Sequence, residues 1–310
     1  MRKIWSLLKN HWLQDFSLPY YLSIVLFLAI SLSINYYIGL ENQIIDRPPY
    51  KPIRIVWYLL LYGTAYYSAC FLMIYFKKRK DILRSKQFWI LTATGILLFS
   101  INSGFPFMPY MLKQLDVDIN VYRWLYSIGS NTVGFVTITI PLVCIYYYNQ
   151  SKGNLYGLYS ANFDFKPYFS ILLAITPFIV CASFLSSFQN YYPTYKANLV
   201  SEMFLWPDWM PILIYEFAYG IDFFNVEFIF RGFMVIGLAH LLGKDTIIPM
   251  VAMYCFIHFG KPVGEAISSI VGGYILGVIA YYTRSIWGGV IVHIGLAWMM
   301  ELFAFLQKIY

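Results

Sequence analysis

Long apolar runs separated by short polar segments dominate the pattern of this 310-residue chain. A helix that crosses a bilayer needs about 20 apolar residues. By that measure the pattern predicts eight or nine spans, near 18–39, 53–76, 88–103, 129–148, 167–188, 211–239, 246–260, 265–283 and 286–306. The stretch 104–128 is too polar to span and indicates a loop or a short interfacial helix. The predicted fold class is an all-α, polytopic transmembrane helix bundle of about eight spans.

Composition supports a membrane protein. Hydrophobic residues make up 60% of the chain, aromatic residues 21% and charged residues only 12%. These proportions are typical of a polytopic protein whose main partner is the lipid bilayer. The four cysteines lie in or beside apolar segments without C-x-x-C spacing, which argues against a disulfide framework or a zinc knuckle.

The net charge of +7 is concentrated in one short loop, at Lys77, Lys78, Arg79, Lys80, Arg84 and Lys86. Short basic loops stay in the cytoplasm, so we expect an integral membrane protein with a cytoplasmic N-terminus and no nucleic-acid site. Residues 1–16 combine basic residues and two tryptophans with an apolar pattern, which favours an interfacial helix. His11 is expected to lie at that interface.

Two halves are predicted. Residues 1–150 form N-terminal transmembrane helices with the interfacial helix, and residues 165–306 hold nearly all the ionisable residues of the apolar segments. The Gly, Asn, Ser and Pro residues of 149–167 indicate a solvated connection.

Glu227 and Arg231 stand four residues apart inside an apolar segment. An ionisable residue in such a segment is a functional-site hypothesis, and i,i+4 pairing lowers the cost of burying both charges. A purely structural ion pair is the alternative. Two later apolar segments carry one histidine each, His258 and His293, so three helices can bring together the groups of a hydrolytic centre.

Two chemistries fit these residues. Glu227, His258 and His293 can hold one divalent metal such as zinc, or a metal-free carboxylate can activate water. The spacing does not choose between them. H-E-x-x-H, G-x-S-x-G and P-loop signatures are absent. Asp222 and Glu301 are additional carboxylates that lie one helical turn from Val226 and Ala297, respectively, on the same faces.

The ordered motifs resemble those of the CPBP intramembrane proteases, which include CAAX prenyl protease 2 and the bacteriocin-immunity Abi proteins. The resemblance covers roughly residues 165–306. The family pattern is E-E-x-x-x-R, F-x-x-x-H and H-x-x-x-N or D on separate helices. Here Val226-Glu227-Phe-Ile-Phe-Arg231 is similar to the first motif, Tyr254-Cys-Phe-Ile-His258 to the second and His293-Ile-Gly-Leu-Ala297 to the third.

The resemblance implies a bacterial-type intramembrane endopeptidase of the cytoplasmic membrane that acts on membrane-associated proteins or peptides. It implies catalytic residues at Glu227, Arg231, His258 and His293. This chain departs from the pattern at Val226, where the family has the glutamate assigned to activating water, and at Ala297, where it has Asn or Asp. Either Glu227 or a substitute carboxylate, Asp222 or Glu301, would then activate water. The departures motivate an alternative, a catalytically inactive relative that acts as a membrane scaffold, immunity or regulatory protein.

Overall fold

The computed structural model describes residues 2–47, 51–149, 153–159, 163–195 and 200–309, which form helices and no β-strand. The α-helices are α1 (Arg2–Asp15), α2 (Leu18–Ile38), α3 (Ile53–Lys77), α4 (Lys86–Gly104), α5 (Phe107–Leu112), α6 (Ile119–Gly134), α7 (Ile140–Tyr148), α8 (Lys166–Ser183), α9 (Ser186–Tyr191), α10 (Val200–Phe204), α11 (Trp209–Glu227), α12 (Ala239–Leu242), α13 (Ile247–Phe256), α14 (Val263–Thr283) and α15 (Trp287–Ile309). Shorter π segments are Leu40–Ile45, Phe135–Thr139 and Phe228–Gly237, and 3-10 segments are Lys80–Arg84 and Gly243–Thr246. The predicted all-α class is confirmed.

Seven helical stretches of the described chain are long and apolar enough to cross a membrane. They are Leu18–Ile38, Ile53–Lys77, Ile119–Tyr148, Lys166–Ser183, Trp209–Phe256, Val263–Thr283 and Trp287–Gln307. The stretch Trp209–Phe256 has 48 residues, more than two spans of about 20 need, and the chain turns within it at Gly243. The protein is therefore an integral membrane protein, and the predicted bundle of about eight spans agrees with this architecture.

The polar stretch 104–128 is only partly a loop. It contains the short helix α5, as predicted, but α6 begins at Ile119, well before the predicted start near 129. The Asp118 carboxylate accepts a hydrogen bond from the Asn120 backbone N–H at 2.7 Å and caps the helix, while Val121 and Trp124 are buried one turn further on. Capping and local apolar spacing therefore start this helix inside the polar region.

The prediction of a solvated connection is wrong for residues 155–158, although residues 153 and 159 are exposed. Leu155 and Tyr156 are buried, at 3% and 8% exposure. The Ile286 N–H donates to the Gly157 carbonyl at 3.2 Å, and the Trp287 indole N–H donates to the Leu158 carbonyl at 2.8 Å. The segment is thus packed into the carboxy-terminal half; residues 150–152 and 160–162 of the predicted connection lie outside the described part.

Helix α1 is amphipathic, as predicted, but His11 does not lie on its outer face. Its side chain is fully buried between the rings of Tyr274 and Tyr282 in α14, with both ring centroids 5.8 Å away. One turn later, the Asp15 carboxylate accepts from Lys77 Nζ at 2.6 Å. His11 and Asp15 thus dock one side of α1 on the bundle, while apolar residues elsewhere on the helix are exposed.

The centre of the bundle consists of α13 and the π segment Phe228–Gly237. Helix α13 is buried along its whole length, and the π segment is buried from Phe228 to Ile236. Helix α13 packs against α3 of the amino-terminal half and α14 of the carboxy-terminal half, so the hydrophobic core runs through both. Glu227 and Arg231 lie at this centre.

Candidate functional site

Glu227 and Arg231 form the predicted ion pair. Glu227 is the last residue of α11, Arg231 follows in the π segment, and both side chains are 0% exposed. Arg231 Nη1 lies 2.8 Å from Glu227 Oε1. This is a contact of charges rather than an aligned hydrogen bond, because no guanidinium nitrogen has a hydrogen-bond partner among the described residues. Helices locally widened to π geometry are frequent at functional sites.

His293 joins this pair from α15. Its Nδ1 lies 3.1 Å from Glu227 Oε1 and donates a hydrogen bond to the carboxylate. That bond sets the tautomer, so Nε2 is the acceptor nitrogen of the neutral ring. Three of the four predicted residues, Glu227, Arg231 and His293, therefore converge at one point.

Tyr254 connects His258 to this group. Its hydroxyl donates to His293 Nε2 at 3.3 Å, its carbonyl accepts from His258 Nδ1 at 2.7 Å, and its ring centroid lies 4.1 Å from the Arg231 guanidinium carbon, a cation–π contact. Sequence reasoning assigned Tyr254 no role. The only signal was a tyrosine at a position where the resembled family has phenylalanine, which adds one hydroxyl.

Gly289 is a second residue that sequence reasoning missed. A Cβ atom at this position would lie 1.9 Å from Glu227 Oε2, so the backbone of α15 forms the wall against which the carboxylate rests. Oε2 is buried and has no hydrogen-bond partner in the described part of the chain. The adjacent glycines 288 and 289 at the start of α15 were the available signal for such a close approach.

His258 and Lys261 occupy the turn between α13 and α14. His258 is 6% exposed, and its Nε2 has no hydrogen-bond partner among the residues that the structure describes. Lys261 Nζ lies 2.6 Å from Glu265 Oε1, and Glu265 Oε2 accepts from the Tyr192 hydroxyl at 2.8 Å. The i,i+4 spacing of Lys261 and Glu265 predicts this pair, although it entered no hypothesis above.

The two substitute carboxylates are placed differently. Glu301 is 2% exposed and accepts from the Thr194 backbone N–H at 3.0 Å and from the Thr194 hydroxyl at 2.6 Å. It therefore anchors the segment that follows α9. Asp222 is partly exposed and forms no hydrogen bond or ion pair within the described chain.

The two departures from the family pattern are apolar contacts in the structure. Val226 is partly buried against the main core. Ala297 is 4% exposed in a cluster with Trp124, Tyr215 and Phe223. Neither position brings a polar atom to the histidines.

The metal hypothesis does not fit the side-chain geometry. His293 uses Nδ1 to bind Glu227, so it would ligate a metal through Nε2, on the other side of the ring, where Glu227 does not reach. Metal ligands need to lie about 2.0–2.2 Å from a common centre. No group of three His, Cys, Asp or Glu side chains in the described part of the chain is arranged to hold a metal ion. We derive no step through a metal.

Residues 208–299 match the family model described as type II CAAX prenyl endopeptidase Rce1-like. The matched region contains Glu227, Arg231, His258 and His293, and the match confirms the resemblance that the three motifs indicated. Comparison with curated proteins and with solved structures gives no significant match. The chain is thus an integral membrane protein whose carboxy-terminal part has a CAAX-protease-like fold.

Proposed function

We propose that this protein binds a segment of a membrane-associated protein or peptide at the His258–His293 site without hydrolysing it. The observation that carries the proposal is the state of Glu227, which is 0% exposed, engaged by Arg231 and His293, and walled off by Gly289. A general base has to come within about 2.6–3.2 Å of the proton that it abstracts. Glu227 has no free face for a water molecule, so it positions His293.

Three further features also support binding without hydrolysis. Val226 replaces the carboxylate that the family assigns to water, and Ala297 replaces its polar partner of the last histidine. The Tyr254 hydroxyl occupies His293 Nε2, the nitrogen that would otherwise face a substrate oxygen. The missing water-activating carboxylate, the missing polar partner of His293 and the hydrogen bond from Tyr254 to His293 together favour a binding protein.

The polar groups left at the site suit a peptide backbone. His258 Nε2 is an acceptor, Asp222 is an unpaired carboxyl group within the described chain, and Lys261 carries donors in the same turn as His258. Backbone amides inside a bilayer require hydrogen-bond partners, and these groups supply them to an extended segment. The proposed occupant is therefore an unwound segment of a membrane-associated polypeptide.

The test compares the wild type with the triple variant Val226→Glu, Ala297→Asn, Tyr254→Phe in proteoliposomes. The substrate is a polypeptide identified by photo-crosslinking, in the native membrane, to positions near His258. Its cleavage is followed by mass spectrometry. We expect the wild type to hold it intact and the triple variant to cleave it about 10²–10⁴-fold faster, the usual contribution of a positioned general base. Cleavage by the wild type that is abolished in Glu227→Gln would overturn the proposal.

One observation favours a second candidate, an endopeptidase that uses Asp222. This carboxyl group is partly exposed, lies one helical turn before Val226 and is not engaged within the described chain. If it activates water, Asp222→Asn lowers cleavage about 10²–10⁴-fold. Glu301→Gln is the matched control, because Glu301 is engaged by Thr194 and should leave the chemistry unchanged.

A further inference from the structure

Three side chains from outside the family-matched region reach the turn that follows His258. Asn35 Nδ2, from α2, donates to the Phe259 carbonyl at 2.9 Å. The Tyr36 hydroxyl, also from α2, donates to the Lys261 carbonyl at 2.7 Å. The Glu41 carboxyl group, from the π segment Leu40–Ile45, lies against the Gly260 backbone.

Glu41 is tightly enclosed at this contact. It is 9% exposed, and its own backbone N–H donates to Asn35 Oδ1 at 3.1 Å, so the Asn35 side chain also holds the Glu41 backbone. A Cβ atom on Gly260 would lie only 3.0 Å from Glu41 Oε1, so glycine permits the approach. Glu41 Oε2 is buried without a hydrogen-bond partner in the described chain. Burying such a carboxyl group costs free energy, which a purely structural loop would avoid with an apolar residue.

The contacts bracket His258. On its N-terminal side, its Nδ1 donates to the Tyr254 carbonyl. On its C-terminal side, residues 259–261 each contact one side chain from the amino-terminal half. The orientation of the His258 ring depends on the backbone on both sides of this residue. The hydrogen bond from His258 Nδ1 to the Tyr254 carbonyl stays short only while the turn keeps its conformation.

We infer that Asn35, Tyr36 and Glu41 form a clamp that positions His258, with Glu41 as its central positioning residue. The clamp directs the free Nε2 of His258 toward the site. It also fixes the position of Lys261, which lies in the same turn. The inference concerns the site of the proposed function but holds whether that site binds or hydrolyses its partner. Its failure and the failure of the proposed function are therefore distinguishable.

The test is NMR of the full chain in detergent micelles with ¹⁵N-labelled imidazole rings. The chain has four histidines, and the His258 signals are assigned by their loss in His258→Gln. We expect a single Nδ1–H tautomer for His258 in the wild type and in Glu41→Gln, whose amide oxygen keeps the contact with Gly260. Glu41→Ala should give a mixture of tautomers and a displaced titration curve.

Asp46→Ala is the matched control. Asp46 follows the same π segment and binds the hydroxyl of Tyr58 at 2.8 Å and the guanidinium of Arg54, but it does not contact the turn. We expect it to leave the His258 tautomer unchanged. A wild-type tautomer and titration curve in Glu41→Ala would overturn the inference.

A second variant decides the matter if Glu41→Ala does not fold. Tyr36→Phe removes only the hydroxyl of a side chain that is 38% exposed, so the fold should tolerate it. The loss of the bond to the Lys261 carbonyl should still change the His258 signals in the same direction. Unchanged signals in Tyr36→Phe would then reject the clamp.

Discussion

The Glu227 carboxylate is buried because Gly289 lets the backbone of α15 approach it. A methyl group on Gly289 would lie 1.9 Å from Oε2, well inside van der Waals contact. The same approach brings His293, one turn further along α15, to 3.1 Å from Oε1. One glycine thus decides both the isolation of the carboxylate and its contact with the histidine.

Gly289→Ala should destabilise the protein, because the added methyl group forces Glu227 away from His293. Overpacking of this kind costs about 1–3 kcal/mol. Thermal unfolding in detergent, compared with wild type, measures the loss. Gly272→Ala is the matched control, since nothing lies within 4 Å of the added Cβ and alanine favours the helix. Equal effects of the two substitutions would contradict the close approach seen at Gly289.

Glu227→Gln should be more damaging, since it leaves the Arg231 guanidinium buried at 0% exposure without its counter-charge. Removal of one partner from a buried pair costs about 3–5 kcal/mol. The double variant Glu227→Gln, Arg231→Met removes both charges and should recover most of that loss. Denaturant unfolding of the single and double variants measures the coupling. A double variant that is no more stable than Glu227→Gln would show that the pair is not the cause.

Docking of α1 should weaken in acid. Burial lowers the pKa of His11 below its ordinary value of 6.5, against the raising effect of Asp15, so the undocked helix binds the proton more tightly. The docking free energy is therefore fully present above pH 6.5 and is lost as the pH falls below it. Hydrogen exchange of residues 4–15, corrected for intrinsic rates, should show less protection at pH 5.5 than at pH 7.5.

His11→Phe separates this effect from other titrations. Phenylalanine keeps the ring contacts with Tyr274 and Tyr282 but does not titrate. Burial alone would raise the pKa of Asp15, but its hydrogen bond to Lys77 holds that pKa below the ordinary value, so Asp15 stays ionised over this range. The same loss of protection in His11→Phe as in wild type would reject the role of His11.

Glu41 should make the protein less stable as the pH rises toward 8. Burial, and next the charge of Asp46, raises the pKa of Glu41 from 4.5 to about 8. Between these values the folded state binds more protons than the unfolded state, so stability is lost with increasing pH, by at most about 1.4 kcal/mol per pH unit. Thermal unfolding from pH 5 to 8 should show this slope in wild type and a smaller one in Glu41→Gln. Identical slopes would contradict the raised pKa.

Zinc should not bind through Glu227 and His293 together, because the carboxylate accepts the Nδ1–H of that histidine. We therefore expect micromolar Zn²⁺ to leave the thermal midpoint unchanged. A ligand that binds only the folded state raises the midpoint in a saturable way. A saturable rise that disappears in both Glu227→Gln and His293→Gln would restore the metal hypothesis.

Local patterns in the chain were sufficient to predict the transmembrane spans and the first contact of the site, the pair Glu227–Arg231. Hydropathy over a window of one span predicts most of the transmembrane helices, and the i,i+4 spacing of Glu227 and Arg231 predicts their pairing. The order and spacing of the motifs that contain His258 and His293 indicated a resemblance that the match over residues 208–299 confirms. These features depend on residues close together in the chain.

Contacts between distant segments depended on how the helices pack. Three contacts form only because α15 and the π segment after α2 approach the bundle centre from separate parts of the chain. They join Tyr254 to His293, Glu227 to Gly289, and Glu41 to Gly260. The burial of His11 and of residues 155–156 has the same origin. The sequence by itself determined an all-α membrane bundle and the set of ionisable residues at its core. Only the tertiary structure decided which of them are enclosed and which keep an exposed side, because burial is a property of the packed surfaces and not of any one segment.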